Sequence, residues 1–325
     1  MKILITGSSG FLGNALQIEL KKRGFLYRCI TRQDKSFLKN KMQNEENFFV
    51  EDINSHTNWS KPLYNIKCVI HCAARAHIIN EKEVDSLAAY RKINVEGTRN
   101  LAEQASIAGV KRLVFISSIG VNGPFTGNST FFSHNDYPVP VDNYAISKLE
   151  AEQALKEVSA KTGLEVVIIR PPSIYGPGVK GNFLRLLNLI NYGLPLPFAR
   201  INNLRSYIGL DNLVDFIICC MEHPKASGQI FLVSDGVDLS TRDLIKKISI
   251  IMKKNIFFFP VPIFLLRFVS YIMGKHKDLE RLVNSLQIDY SWSTKILGWS
   301  PPKSLEHGLI EMTESYLKIK KKEKK

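Results

Sequence analysis

The sequence predicts an α/β protein in which a doubly wound parallel sheet, with helices on both faces, precedes a smaller C-terminal lobe. Short β-branched runs alternate with longer amphipathic segments through the first half of the chain. A glycine-rich turn separates the first run from the first amphipathic segment. This alternation is typical of a parallel sheet covered on both sides. The 325 residues, 45% hydrophobic and 23% charged, exclude wholesale disorder and collagen-like repeats.

The predicted elements follow in chain order. The first strand covers Lys2 to Thr6, and the first helix runs from Phe11 to Arg23, where leucines recur every four residues and Gly24 stops it. The later strands are Tyr27 to Thr31, Phe48 to Val50, Cys68 to His71, Leu113 to Ser117 and Val166 to Arg170, and the long helices are Val84 to Ala108 and Tyr144 to Thr162. We therefore expect the sheet domain in residues 1–170. Residues 171–317 form mainly the lobe, with some elements returning to the sheet, and residues 318–325 form a lysine-rich tail.

One later segment is apolar enough to suggest a membrane. Ile256 to Gly274 is almost long enough to span a bilayer, yet it contains two prolines and a central Arg267. We expect a short strand from Asn255 to Phe259, a proline break and a buried helix, with a monotopic membrane contact as the alternative. The glycine turn comes too early for a signal peptide, so we expect a cytoplasmic protein with no integral membrane span.

The positive charge does not indicate nucleic-acid binding. Lys and Arg number 44 against 30 Asp and Glu, and the last eight residues supply +5 of the net +14 in what we expect to be a solvated, frayed tail. No nucleic-acid-binding signature accompanies the charge, which suits an anionic small molecule such as a dinucleotide or nucleotide-sugar. The five cysteines form no CxxC pair, and the spacing of His71, His77 and His134 predicts no metal site.

The glycine turn has the pattern of a phosphate-binding loop. Gly7, Gly10 and Gly13 lie between the first strand and the first helix, at the first, fourth and seventh positions of the motif. Gly7 permits a tight turn, Gly10 lets backbone approach a pyrophosphate, and Gly13 allows the helix to pack closely on the strand. The helix N-terminus adds unpaired N–H groups and the positive end of its dipole. The loop therefore predicts a dinucleotide site.

The choice between NAD and NADP depends on the end of the second strand. It reads Thr31-Arg32, with no carboxylate there to bind the ribose hydroxyls and an arginine available to a 2′-phosphate. This favours NADP, while Asp34 is close enough to keep NAD open. Asp52 and Ile53, after the third strand, either contact the adenine or belong to an ordinary polar loop.

A candidate catalytic group follows the fifth strand. Tyr144 and Lys148 are four residues apart, so their side chains share one helix face. A nearby ammonium favours the phenolate and lowers the pKa of the tyrosine, which suits general acid/base catalysis. Ser117 and Ser118 end the strand, where a hydroxyl can bond the same substrate oxygen.

Over nearly its whole length the chain resembles the extended short-chain dehydrogenase/reductases, the group that contains UDP-galactose 4-epimerase. The resemblance rests on the motifs TGSSGFLG, HCAA, INVEGT, VFISS, YAISK, RPPSIYGPG and RSYIGLDNL. It implies a Rossmann-type sheet with a C-terminal substrate-binding lobe, and a homodimer formed through the two long helices. In that family the catalytic serine lies five residues before a glycine that matches Gly123 of this chain. The resemblance therefore implies that Ser118, rather than Ser117, is the catalytic serine.

The resemblance also assigns roles to individual residues. Tyr144 is the expected acid/base, and Lys148 contacts the nicotinamide ribose. The complete expected cofactor set is Gly7, Gly10, Phe11, Leu12, Gly13, Thr31, Arg32, Asp52, Ile53, Cys72, Ala73, Ala74, Asn94, Tyr144, Lys148 and Pro171. The expected substrate set is Ser118, Asn122, Ser173, Asn182, Phe183 and Arg205, with Arg205 at the UDP pyrophosphate and Asn122 and Ser173 departing from the family's usual residues.

The departures narrow the expected chemistry. Ile119 and Gly120 replace the Asp-Glu pair of the family's 4,6-dehydratases, so dehydration is not expected. The pattern looks most like enzymes of bacterial surface polysaccharide (O-antigen or capsule) synthesis that reduce UDP-4-keto-6-deoxy-N-acetylhexosamines at C4, and that reaction is the leading hypothesis. The alternatives are a UDP-glucose or UDP-N-acetylglucosamine 4-epimerase and a redox-silent NAD(P)-binding scaffold.

Overall fold

The computed structural model describes residues 1–31, 45–76, 85–127 and 130–323. The strands are β1 Lys2–Thr6, β2 Leu26–Thr31, β3 Glu45–Phe49, β4 Cys68–His71, β5 Arg112–Ile116, β6 Glu165–Arg170, β7 Ser173–Tyr175, β8 Arg205–Gly209, β9 Ile230–Leu232 and β10 Asp238–Leu239. The helices are α1 Phe11–Lys22, α2 Ser60–Leu63, α3 Ser86–Arg91, α4 Gly97–Ile107, α5 Asn143–Thr162, α6 Gly181–Tyr192, α7 Leu210–Glu222, α8 Thr241–Ile251, α9 Ile263–Ile272, α10 His276–Val283, α11 Ser291–Leu297 and α12 Leu305–Glu323.

The described strands form one large parallel sheet and one small sheet. The large sheet has seven strands in the order β3-β2-β1-β4-β5-β6-β9, and every neighbouring pair is parallel. The chain winds outward from β1 to β3 and then returns to β4, so the strand order reverses between β1 and β4. In open α/β sheets, ligands bind at the carboxyl ends of the strands beside such a reversal. This confirms the predicted doubly wound, Rossmann-type α/β fold.

The second half of the chain divides between the large sheet and a lobe. Strand β9 joins the sheet beside β6, whereas β7, β8 and β10 form a separate three-stranded sheet. A distinct apolar core, which includes Leu187, Ile245 and Leu309, joins that sheet to α6, α8 and α12. Two further apolar clusters contain residues from alternate positions of the large sheet, as expected for a sheet buried on both faces.

The sequence places most elements of the sheet domain to within two residues. The long helix predicted from Val84 to Ala108 is continuous over its described part, but its centre, Lys92–Glu96, is a π-helical turn between α3 and α4. The lysine-rich segment was expected to fray, yet it continues α12 as far as Glu323. In the described part of the chain, no helix has the length and apolarity needed to cross a membrane.

Two predictions for the apolar segment are wrong. The expected strand from Asn255 to Phe259 is irregular, with one isolated bridge between Phe258 and Leu196. The helix after the prolines is α9, and it lies at the surface instead of being buried. The periodicity of apolar residues could not reveal this exposure, because both faces of α9 are apolar. The core of the lobe is covered by α6, α8 and α12, which leaves one face of α9 exposed.

Candidate functional site

The glycine turn makes a cradle at the carboxyl end of β1. Gly7 has φ +68°, and a Cβ there would lie 2.7 Å from the backbone nitrogen of Ala73, so a side chain would collide with the loop after β4. Gly13 is packed against the backbone of Gly7 and Ser8 in the same way. Only glycine allows α1 to begin this close to both strands.

The start of α1 provides the donors that an anion needs. Its first intrahelical bond runs from the Asn14 amide to the Gly10 carbonyl, 3.0 Å away. The amides of Phe11, Leu12 and Gly13 come before this bond, so the helix itself provides no carbonyl to accept their hydrogen bonds. Gly10 lies at the N-cap, where in the described structure no side chain caps the helix. The cradle therefore has the geometry and the donors that the diphosphate of a dinucleotide requires.

Of the four residues expected to contact the adenosine part of the cofactor, the structure describes Thr31, Asp52 and Ile53. Thr31 is half-buried at the end of β2, and Arg32, with Asp34, lies outside the described residues. The Asp52 carboxylate accepts a hydrogen bond of 2.8 Å from the amide of Ile53. Ile53 itself is buried against Gly97, where an added Cβ would lie 2.8 Å from its Cγ2. Asp52 thus shapes the loop after β3, while Ile53 belongs to the core beneath it.

A buried histidine supports the loop after β4. The His71 ring bonds Thr6 Oγ1 at 2.6 Å and Thr98 Oγ1 at 2.9 Å. Burial, and secondarily the charge of Lys148, lowers the pKa of His71 to about 3, so its ring is neutral at physiological pH. The next residues, Cys72, Ala73 and Ala74, are half-buried at the strand end, where the cofactor was predicted.

Within the described ranges, the cysteine and histidines near these groups are candidate metal ligands by residue type. Burial raises the pKa of Cys72 to about 12, which keeps it a thiol. His134 stacks on Trp292 with ring centroids 4.3 Å apart, and His77 lies outside the described residues. Among the described residues, no three His, Cys, Asp or Glu side chains converge as metal ligands.

Asn94 joins the β4 loop to the catalytic helix. Its Oδ1 accepts from the Arg75 amide at 2.8 Å, and its Nδ2 donates to the Arg75 carbonyl at 3.1 Å and to Ser147 Oγ at 3.0 Å. Asn94 lies in the π-helical turn, a feature that is frequent at functional sites. The asparagine therefore holds the backbone of the loop after β4 and ties it to a side chain of α5.

Tyr144 and Lys148 lie at the N-terminal end of α5. Asp142 caps this helix through a 2.8 Å bond from the Ala145 amide to its carboxylate. Lys148 is buried, and its Nζ donates to the carbonyl of Ile116, 2.7 Å away, at the end of β5. The same Nζ lies 5.9 Å from the centre of the Tyr144 ring. The pair therefore faces the strand end, as the spacing of four residues predicts.

The expected lowering of the Tyr144 pKa is not found. Burial raises the pKa of Tyr144, and Asp142 and Tyr90 raise it further. Burial also lowers the pKa of Lys148 to about 8, although Cys72 and Glu152 oppose this shift. The sequence expectation counted the ammonium but not desolvation, which penalises both the phenolate and the ammonium in this buried cleft.

The pKa of Lys148 makes a testable contribution to stability. Between a pH of about 8, the pKa of Lys148 in the folded chain, and pH 10.5, its ordinary pKa, the Lys148 amine is protonated in the unfolded chain but neutral in the folded chain. Stability therefore rises with pH in this interval. We expect the unfolding free energy of the wild type, minus that of Lys148→Met, to increase as pH rises through it. Urea denaturation at pH 7.5 and 10 measures this difference, and a difference that stays flat or falls would contradict the lowered pKa.

The two serines after β5 have different partners. Ser117 is buried, and its Oγ donates to Glu152 Oε1 at 2.5 Å. Ser118 is half-buried, and its Oγ accepts a 3.1 Å bond from the amide of Gly120. An added Cβ on Gly120 would lie 3.4 Å from both Ser118 Oγ and the Cβ of Ala145, which places Ser118 against the start of α5. Ser118 is therefore the serine whose hydroxyl is not bonded to Glu152 and lies near the start of α5.

A buried ionic network, which the sequence did not reveal, lies behind the serines. Arg170 bonds Glu152 through two nitrogens at 2.9 and 2.6 Å, and the two side chains are 2% and 1% exposed. A third nitrogen of Arg170 donates to Asn122 Oδ1 at 2.9 Å, and Asn122 Nδ2 donates to the Ser133 carbonyl at 2.9 Å. Both ends of the Asn122 amide are thus occupied in orienting its loop rather than free for a sugar. The only sequence clue was that Glu152 lies four residues after Lys148.

The remaining predicted substrate residues lie in the lobe or at its edge. Ser173 is exposed on β7. Pro171, which was predicted as a cofactor contact, is buried two residues earlier, and its carbonyl accepts a hydrogen bond from the Ile119 amide at 3.0 Å. Asn182 is exposed at the start of α6, while Phe183 is buried between Tyr175 and Tyr207. Phe183 therefore packs in the core of the lobe beneath the face where Asn182 is exposed.

Arg205 and Arg281 lie close enough in the lobe to interact electrostatically. Arg205 begins β8 and donates to the Asn284 carbonyl at 3.0 Å. Burial lowers its pKa, and the nearby Arg281 lowers it further. Arg281 lies on α10, 3.8 Å from the Asp142 carboxylate that caps α5. Sequence reasoning missed Arg281 because only the folded chain brings α10 beside β8. Two neighbouring guanidinium groups favour an anion between them.

Comparisons with known sequences show which family and which relatives this chain resembles. The model of the NAD dependent epimerase/dehydratase family matches residues 3–234. A UDP-glucose 4-epimerase of Vibrio cholerae is 42% identical over 321 residues, which cover 97% of this chain and 95% of the relative.

Solved structures show the same fold. A UDP-glucose 4-epimerase of Thermotoga maritima with UDP-glucose has a TM-score of 0.75 at 22% identity, covering 98% of this chain and 99% of the other. A UDP-glucuronic acid 4-epimerase of Bacillus cereus in complex with NAD has a TM-score of 0.76 at 21% identity, with the same coverage.

Proposed function

The chain belongs to the NAD-dependent epimerase/dehydratase family, and from this premise we propose that it catalyses hydride transfer between a nicotinamide cofactor and C4 of a UDP-sugar. The observation that carries the proposal is the placement of Tyr144, Lys148 and Ser118 at the end of β5, two strands from the glycine cradle on β1. The amides at the start of α1 would hold the diphosphate of a dinucleotide, and Tyr144, Lys148 and Ser118 lie farther along the same carboxyl edge of the sheet, where the nicotinamide would supply the redox chemistry.

In the proposed mechanism, the residues of the chain position and protonate the substrate. When bound, the nicotinamide supplies or accepts the hydride. The raised pKa of Tyr144 keeps its phenol protonated, so the phenol can donate a proton to the C4 oxygen during reduction. The phenolate left by that transfer is the form that accepts the proton of the C4 hydroxyl during oxidation. Ser118 Oγ is available to bond the same oxygen. Lys148, fixed by the Ile116 carbonyl, keeps a cation beside the phenol and favours the phenolate when the proton leaves.

We propose that Arg205 and Arg281 bind the diphosphate of the nucleotide-sugar. Arg205→Ala should weaken UDP binding and leave NAD binding unchanged, because the cradle for the cofactor lies on α1, at the opposite side of the cleft. A charge-assisted hydrogen bond contributes roughly 1.5–3 kcal/mol, so the loss should be about tenfold to a hundredfold in affinity. Isothermal calorimetry with UDP measures the first, and the amount of NAD released on denaturation of the purified variant measures the second. Unchanged UDP affinity would remove Arg205 from the site.

Two reactions at C4 fit this site. Epimerisation is supported by the V. cholerae relative, which is a UDP-glucose 4-epimerase similar over nearly the full length of both chains. Net reduction of a UDP-4-keto-6-deoxy-N-acetylhexosamine is supported by Thr31-Arg32, which lacks the usual ribose-binding acid and so favours NADP. We take epimerisation as the first candidate, since similarity along the whole chain carries more information than one arginine. Sequence alone favoured net reduction over epimerisation, and similarity to this relative reverses that preference.

Cofactor retention distinguishes the two reactions. An epimerase must keep its NAD through an oxidation and the return reduction, whereas a reductase must exchange cofactor at every turnover. We expect the purified protein to carry NAD, released on denaturation, and to interconvert UDP-glucose with UDP-galactose, or their N-acetyl forms, without added cofactor. Stoichiometric NADPH oxidation with a UDP-4-keto-6-deoxy sugar would assign the reductase instead. Cofactor binding without turnover of any UDP-sugar would indicate the redox-silent scaffold.

The expected homodimer belongs to the same proposal. Within one chain, α5 is linked to α3 by the ion pair Arg91–Glu150 at 2.6 Å and to α4 by the ion pair Arg99–Glu157 at 2.8 Å, so it packs along both parts of the first long helix. We propose that these two helices pack against their copies in a partner subunit, as the resemblance implies, and light scattering of the purified protein determines whether the protein is dimeric.

A further inference from the structure

Helix α9 presents an apolar face to solvent. It packs on the protein through Ile263, Leu266 and Ser270, which recur on one side of the helix. The opposite side carries large apolar groups that are mostly exposed: Phe264 at 74%, Phe268 at 62%, Tyr271 at 77% and Ile272 at 69%. Contiguous exposed apolar surface of this kind marks an interaction site.

The surroundings of this face are basic. From residue 253 to residue 277 the chain contains five Lys and Arg residues and no Asp or Glu. Lys253 and Lys254 precede the apolar segment, Lys275 and Lys277 follow it, and all four are exposed. The acids nearest in sequence are engaged, since Glu280 bonds Arg267 at 2.9 Å and Asp278 bonds Arg185 at 3.4 Å. The apolar face is therefore bordered at both ends by lysines that are free to meet an anionic surface.

The location of α9 relates this face to the cleft. Arg267 of α9 is joined to α10 by its pair with Glu280. Farther along α10, Arg281 approaches Asp142, the residue that caps the helix of Tyr144. The exposed face thus lies one helix away from the substrate side of the cleft.

We propose that α9 is an interfacial helix that docks the protein on an anionic phospholipid surface. Phe264, Phe268 and Ile272 would enter the boundary between headgroups and acyl chains, with Tyr271 at the headgroups and the lysines on the acidic lipids. At ten residues α9 lies on the bilayer rather than crossing it. A second copy of the chain fits less well, because a two-fold contact through this face would bring its own lysines together.

Vesicle sedimentation of the full-length protein tests the proposal. We expect binding to mixed phosphatidylcholine–phosphatidylserine vesicles, with affinity about tenfold or more weaker for pure phosphatidylcholine vesicles and at high salt. The double variant F264S/F268S should lose about a hundredfold in affinity or more, because two buried aromatic rings are removed. K275Q/K277Q should lose mainly the preference for acidic lipid.

The matched control is I18S/Y64S, which removes two side chains exposed to a similar degree, 71% and 69%, on the sheet domain. It should bind vesicles like the wild type. Circular dichroism and turnover of soluble UDP-sugar verify that each variant is folded. No binding of the wild type to anionic vesicles, or equal binding by F264S/F268S, would overturn the proposal. Dissociation of an oligomer by F264S/F268S, without vesicle binding by the wild type, would assign the face to a second copy.

Discussion

Tyr144→Phe is expected to lower turnover by about two to four orders of magnitude, the usual contribution of a general acid/base. The substitution removes the proton that the phenol donates to the C4 oxygen but leaves the ring, which packs edge-on to Tyr90 with centroids 6.3 Å apart. Binding of NAD and UDP should change little, because neither the glycine cradle nor the arginines contain this hydroxyl. Single-turnover kinetics, with cofactor reduction followed by absorbance, measures the chemical step directly.

The matched control for this prediction is Tyr316→Phe. Tyr316 is also a buried tyrosine, but its hydroxyl donates to Asn188 within the core of the lobe, at 2.8 Å. We expect this variant to retain wild-type turnover. If Tyr144→Phe kept a tenth of the wild-type rate in the chemical step, another group would have to supply the proton and the assignment of Tyr144 would fail.

Glu152→Ala is expected to cost the folded protein about 3–5 kcal/mol, the range found when one partner of a buried ion pair is removed. The change leaves the Arg170 guanidinium buried without its carboxylate, and it also removes the acceptor of Ser117 Oγ. Denaturant unfolding at one fixed protein concentration, monitored by circular dichroism, gives the change in unfolding free energy.

Glu157→Ala on the same helix provides the comparison. Glu157 forms an ion pair with Arg99, and the side chains of Arg99 and Glu157 are 37% and 54% exposed. Removing this exposed pair should lower the unfolding free energy by at most about 1 kcal/mol. The double variant Glu152→Met/Arg170→Met should recover part of the stability, because it removes both buried charges together. If Glu152→Ala cost no more than Glu157→Ala, the buried pair would not be what stabilises the end of β6 against α5.

The sheet domain could be predicted closely because its elements are encoded locally. Each local pattern predicts a single kind of element that is consistent with its neighbours: strands from the β-branched runs, helix α1 from its leucines, and a tight turn from the glycines at positions 7, 10 and 13. The region after Arg170 was harder because its elements are short. Strand β9 has three residues and β10 has two, too few for alternation to be recognised. Their pairing depends on partners distant in the chain.

The apolar segment shows where pattern reasoning failed. Seven of the ten residues in α9 are exposed, although nearly all are apolar, so composition alone suggested a buried helix. Burial is decided by whether core surface remains to be covered, and in this lobe α6, α8 and α12 already cover it. The expectation for Tyr144 failed for a related reason. The spacing from Lys148 is a local property, but the desolvation that raises the pKa of the phenol comes from the whole fold.

By itself, the sequence determined the parallel α/β fold, the glycine cradle and the pairing of Tyr144 with Lys148, because each depends on residues a few positions apart. The resemblance already implied Ser118 rather than Ser117, but only the tertiary structure showed that Ser117 Oγ is bonded to Glu152 whereas Ser118 Oγ is not. The tertiary structure likewise brought Arg281 beside Arg205 and left the apolar face of α9 exposed. These features arise from contacts between distant segments, whose distances and desolvation do not exist until the chain has folded.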